Sequence, residues 1–220
     1  MKKVSFPNEL LVYSSIASTY LVHVVGMLIV IIALHVFVMP LHLANTMVLL
    51  LCLTLTAHFL SGGAPVAISG RTRTFGTLAG LLVLMIGVGK TGAIAALGDT
   101  LYPASALLEG LKADFAPTTS VLLRLRVLHP ALGVAVGAML VFGTAAIPLA
   151  ADDRRGRLAR RAVVALAAVQ VVVGFVNVWL LAPIWLQLTH LLIADLLWIA
   201  LVVLTASALA RREAPAVTSA

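Results

Sequence analysis

Six apolar stretches, each long enough to cross a bilayer, dominate this sequence. They run from about Leu10 to Met39, Leu41 to Leu60, Phe75 to Leu97, Val121 to Leu149, Ala162 to Leu181 and Ile184 to Ala210. A span needs about 20 mainly apolar residues. Lipid offers no partner for a backbone N–H or C=O, so such stretches fold as helices that satisfy themselves. The chain is 62% hydrophobic and 10% charged, a balance no soluble domain has. The reading is an all-α polytopic membrane protein with about six transmembrane helices. Its net charge of +7 would suggest nucleic acid in a soluble protein. Here the charges mark topology, and no nucleic-acid partner is expected. Cys52 is the single cysteine, so no intrachain disulfide forms. The first apolar stretch is too long for a cleavable signal sequence.

The cations fall on alternate connections. Lys2 and Lys3 precede the first stretch, and Arg71 and Arg73 follow the second. Arg154, Arg155, Arg157, Arg160 and Arg161 lie between the fourth and fifth, and Arg211 and Arg212 follow the sixth. The positive-inside rule makes that face cytoplasmic. The expectation is a multi-pass protein of the cell (plasma) membrane, with both termini cytoplasmic and the lipid bilayer as its surroundings. Very short connections containing Pro40 and Pro183 predict two antiparallel hairpins. The one sizeable outer loop runs from about Gly98 to Ser120, and its Ala104 to Lys112 portion reads as a short interfacial helix. The predicted layout is a helical hairpin over 1–62, a cytoplasmic linker over 63–74, a four-helix bundle over 75–210 and a cytoplasmic tail over 211–220.

The fourth stretch carries chemistry. His129, Gly133 and Gly137 recur at i, i+4 and i+8 and so share one helix face. A metal-binding imidazole thus stands beside a strip without side chains, the room a flat macrocycle needs against a helix. Arg126 lies one turn toward the outer surface, with Arg124 beyond it, and guanidiniums there suit two propionates. His190 lies in the sixth stretch. At 1.5 Å per residue, His129 and His190 differ in depth from the outer face by less than about one turn. Two histidines at one level on two bundle helices can hold haem from both sides. The alternative is plainer: intramembrane histidines that hydrogen-bond neighbours, and glycines that serve close packing.

Other polar residues admit two readings each. Gln170, Gly174 and Asn177 form a face of the fifth stretch that looks into the same cavity or simply hydrogen-bonds between helices. Lys90, flanked by Gly87, Gly89 and Gly92, is a functional candidate because an ammonium in a span is expensive, or else a lysine that snorkels toward the surface. Asp195 suits a helix-packing hydrogen bond. His35 lies close in depth to His42, and packing or interfacial roles suit His23, His35 and His58. The second and sixth stretches each carry a histidine near their outer end, His42 and His190. This echo reads as an eight-helix duplicated architecture of which helices three to eight are present.

Several of these segments resemble the heme A synthase family. Pro40 to Leu51 followed by Ser61-Gly62-Gly63 is similar to the family's fourth helix and its turn. Thr91 to Pro103 resembles the end of the fifth helix, Leu123 to Pro130 the start of the sixth, and Thr189 to Ala200 the eighth. The match covers about residues 40 to 210, in order and with matching loop lengths. The resemblance implies a membrane oxidoreductase that oxidises the C8 methyl of heme O to a formyl, giving heme A for cytochrome oxidase. It implies haem b, with its iron held by His129 and His190 as metal ligands and with Arg126, Arg124, Gly133 and Gly137 around it. His42 would face a substrate heme O. Heme O synthase and the cytochrome oxidase assembly machinery are the implied partners, and a homo-oligomer is a further arrangement the resemblance leaves open. The family's second helix carries a Glu-x-x-His-Arg motif with a catalytic glutamate, and that motif does not occur here. A haem b-binding electron carrier, or a relic without the catalytic helices, is the alternative function.

Overall fold

The computed structural model describes residues 8–116 and 121–211 and, among these, contains six helices and no strand. They are α1 (Asn8–Leu60), α2 (Thr72–Leu101), α3 (Leu107–Asp114), α4 (Val121–Ala145), α5 (Arg154–Trp179) and α6 (Ile184–Ala208). Five segments among the described residues are long and apolar enough to cross a membrane: Phe37–Leu60, Thr72–Leu101, Arg126–Ala145, Arg154–Trp179 and Ile184–Ala208. The protein is a multi-pass all-α membrane protein, as its apolar stretches predict. The short helix expected in the outer loop is α3.

Residues Met1–Met39 and Pro40–Ala220 form two compact units. In the first, the backbone is helical from Asn8, and the described side chains Tyr20, His23, Val24 and Phe37 are exposed. His35 lies outside the residues whose side chains are described. In the second unit α2 packs on α4, α4 on α5, α5 on α6 and α6 on α2, which closes a four-helix bundle.

The turn predicted at Pro40 is not made: α1 stays helical through that residue. Proline removes one backbone donor and crowds the carbonyl four residues earlier, a loss that a membrane helix absorbs. The neighbours Val38, Met39 and Leu41 include none of the glycine, asparagine or aspartate residues that support a reverse turn. Pro183 differs. Leu181 and Ala182 before it take left-handed φ values of 59° and 52°, and Pro183 is the N-cap of α6. The Ala182 N–H donates to the Asn177 carbonyl at 2.7 Å, and the Gln187 side-chain amide donates to the Ala182 carbonyl at 2.5 Å. These bonds hold two residues in a conformation that costs each roughly 1–2 kcal/mol, and they fix the predicted α5–α6 hairpin.

The arginine-rich end is tied by its own cations. Arg155 donates to the Ser61 carbonyl just beyond α1 at 2.7 Å. Arg160 donates to the Ile147 carbonyl just beyond α4. Arg71 donates to the carbonyls of Ala208 (3.2 Å) and Ala210 (2.6 Å) at the end of α6. Each guanidinium meets a helix C-terminus, where unpaired carbonyls and the helix dipole favour positive charge. At the end of α1, Gly62 has φ +77° and the Gly63 N–H donates to the His58 carbonyl at 2.9 Å. The His58 ring is buried against Gly63, where a Cβ would collide with it. His58 therefore packs, as expected.

The densest core lies toward the same end. Leu78, Leu140, Val163, Leu201 and Leu204 are almost fully buried there. Toward the opposite end Val172, Phe175, Leu188 and Leu192 are exposed. The bundle is thus sealed at one end and looser at the other, where the two histidines sit.

Candidate functional site

α4 enters the bundle from the looser end and presents His129 two turns in, just before Pro130; α6 enters from the same end and presents His190. The two imidazoles meet edge-on, with ring centres 6.4 Å apart and planes at 88°. The depth match read from the sequence therefore corresponds to direct proximity.

Each ring is held by the neighbouring helix in a similar way. On α2, the Thr91 hydroxyl oxygen lies 3.1 Å from His129 Nδ1, and the adjacent Gly92 leaves room for the ring. A Cβ there would come within 2.9 Å of His129 Cε1. On α5, the Gln170 side-chain amide nitrogen lies 3.2 Å from His190 Nε2. Gly174, one turn further, leaves room in turn, since its Cβ would stand 3.2 Å from His190 Cε1. The site is therefore two histidine helices, each backed by a helix that supplies one polar contact and one glycine. His190 Nδ1 and Gln170 Oε1 are buried without hydrogen-bond partners.

The remaining candidates separate. A side chain at Gly133 would meet nothing within 4 Å, so space is open there. Gly137 faces Val171 on α5, where a Cβ would stand 3.1 Å from Cγ2, and it serves close helix packing. Arg126 does meet two carboxylates, but both belong to this chain. It pairs with Asp99 at 3.1 Å and with Asp114, and it donates to the Tyr102 carbonyl at 3.2 Å. This ties α2, α3 and α4 together at the looser end. Arg124 is exposed. His42 is exposed on α1, where its carbonyl accepts from Thr46 at 3.0 Å. Leu43 beside it approaches Gly89, next to Lys90, to within 3.1 Å of a Cβ there. Asp195 Oδ1 and Asn177 Oδ1 are buried without partners, so the packing hydrogen bond expected of Asp195 is not made through that oxygen.

Reading the sequence singled out Gln170 and Gly174 but missed Thr91 and the pairing of Gly92 with His129. The available signal was a Thr-Gly pair inside a span, a small hydroxyl beside a small-residue gap. It was masked by Lys90 next to it.

Residues 15–202 match the COX15-CtaA model, described as cytochrome oxidase assembly protein. Two curated relatives, each named protoheme IX farnesyltransferase, come from two strains of Thermus thermophilus. Each is 43% identical over 174 residues, which is 77% of this chain and 28% of the relative. The chain thus spans little more than a quarter of the length of these relatives. No solved structure matches. The family match covers all but the last turns of α6 in the bundle, with both histidines and the helices behind them, and agrees with the resemblance carried by the motifs of residues 40 to 210. The chain belongs to the COX15-CtaA family of cytochrome oxidase assembly proteins, the heme A synthase family.

Proposed function

We propose that this protein holds haem b between His129 and His190 and acts in heme A formation, oxidising the C8 methyl of heme O to a formyl. The histidine pair carries the reading. Two imidazoles that would hold one haem iron must stand close together on two helices of one bundle. The observed separation is 6.4 Å. The partnerless, buried His190 Nδ1 is an atom whose cost a ligand would relieve. The open space at Gly133 leaves room for a macrocycle edge beside α4. The residues fit the group.

Haem bound there supplies one-electron chemistry. His129 and His190 would be its ligands. The protein's part is to hold and tune: His129 and His190 ligate, Thr91 and Gln170 orient them, and Gly92 and Gly174 set their clearance. Arg126 and Arg124 are the cations at that rim, and Arg126 is paired with Asp99 and Asp114. His42 is the residue assigned to the substrate haem. The relatives named for farnesylating protoheme IX support heme O synthase as partner and cytochrome oxidase assembly as destination. The arginine distribution supports a plasma-membrane protein with cytoplasmic termini.

A second reading, a haem b-binding electron carrier, is favoured by the close pair of histidines, which suits electron transfer as well. A pyridine haemochrome spectrum of the protein co-expressed with a heme O synthase separates the two. Haem b with heme A supports the oxidising role, and haem b alone supports the carrier. Absence of haem, or haem retained by His129→Ala/His190→Ala, would overturn the assignment of the ligands.

A further inference from the structure

We propose that Thr91 is a positioning residue that fixes the His129 imidazole as its Nδ1–H tautomer and leaves Nε2 as the metal-binding nitrogen. The proposal rests on the reading that His129 is a haem ligand. It follows from counting hydrogens. A threonine hydroxyl has one proton to donate. Thr91 donates it to the Val88 carbonyl, one turn back on α2, at 2.8 Å. Its oxygen, 3.1 Å from His129 Nδ1, can then only accept, so Nδ1 carries the ring proton. The lone pair is left on Nε2.

The opposite side of the site lacks this selectivity. Gln170 can offer His190 either its amide N–H or its Oε1, and Oε1 has no partner. A half-turn of the amide serves either tautomer of His190. One ring is therefore locked in advance by a hydroxyl whose proton is already committed, and the other adapts. A ligating histidine that donates its second N–H is oriented by that bond and made more basic. Thr91 does this for His129 through a neutral acceptor.

The test uses the full chain in lipid with 15N-labelled histidine, and His129→Gln to assign the signal. Haem-free protein should show His129 protonated at Nδ1. Thr91→Val, nearly the same shape without the hydroxyl, should shift the proton toward Nε2, and Thr91→Ser should restore it. On titration with haem, Thr91→Val should bind about 10–100-fold more weakly, with Thr91→Ser close to the parent. An Nε2–H ring in the parent, or a Thr91→Val protein unchanged in both tautomer and haem affinity, would overturn the proposal. If Thr91→Val does not fold, the parent and Thr91→Ser spectra decide it. If the parent takes up no haem, the reading of the site fails, and the tautomer spectra still decide the role of Thr91.

Discussion

Gly92 backs the His129 ring so closely that a Cβ would stand 2.9 Å from Cε1, closer than real Cβ contacts come. The ring can move only away from α2, which also breaks its contact with Thr91. Gly92→Ala should therefore lower haem affinity by about 10–100-fold, the usual cost of disturbing a ligand's supporting shell. Gly174→Ala should cost less, because its Cβ would meet His190 Cε1 at 3.2 Å and Gln170 tolerates a small shift. Haem titration of both variants checks the order. Equal binding by Gly92→Ala and the parent would remove the glycine from the site.

Arg126 answers two aspartates at once, and its side chain is 14% exposed against 28% for Asp99 and 7% for Asp114. Removing one partner of such a cluster leaves charge buried without compensation, which costs about 3–5 kcal/mol in fully buried cases and less at this partly open rim. Arg126→Met should lower the thermal unfolding midpoint in detergent. Neutralising all three, with Arg126→Met, Asp99→Asn and Asp114→Asn, should recover most of the loss. Arg126→Lys should not, because one ammonium cannot fork to two carboxylates. No change in the Arg126→Met midpoint would mean that α3 is not held by this cluster.

Arg71 reaches across to the end of α6 and donates to two carbonyls there. Hydrogen bonds from a charged donor are each worth about 1.5–3 kcal/mol when buried, and Arg71 is only half-buried. Arg71→Ala should destabilise by about 1 kcal/mol and loosen the end of α6 first. Hydrogen exchange at Ser207 to Arg211 should rise before exchange at Leu197 to Leu201. Uniform protection in the variant would show that the backbone bonds from Ala67 to Leu209 and from Arg211 to Pro65 hold that end alone.

The sequence shows the apolar spans, the short loop helix and the shared depth of His129 and His190, because each depends on hydrophobic run length or a fixed rise per residue. It places Gln170 and Gly174 on one face through helical periodicity. The rest depends on contacts between helices. Whether Arg126 meets propionates or its own aspartates depends on where α3 folds back, and nothing periodic encodes that. Gly133 and Gly137 look equivalent at i+4 and i+8 from His129, but only Gly137 has a neighbour against it, because α5 crosses there. The turn at Pro40 fails for a related reason. Proline ends a helix in water, where a freed carbonyl finds solvent, whereas in an apolar run helix continuation keeps more backbone groups paired.

Gln170 offers the sharpest test of how the second ring is tuned. It is one hydrogen bond from His190 at 3.2 Å, and its unpartnered Oε1 lies buried beside it. Gln170→Glu would place an acceptor where the amide now sits. A ring N–H donated to a carboxylate makes imidazole a stronger donor to the metal, which favours the ferric state, so the midpoint potential should fall while haem content holds. Gln170→Leu removes the contact and should weaken haem binding by about 10–100-fold, with any retained haem at a higher potential. Spectroelectrochemical titration of the two variants separates the cases. Potentials that move together would point to a general change in burial, and potentials that do not move would place Gln170 outside the ligand's hydrogen-bonding shell.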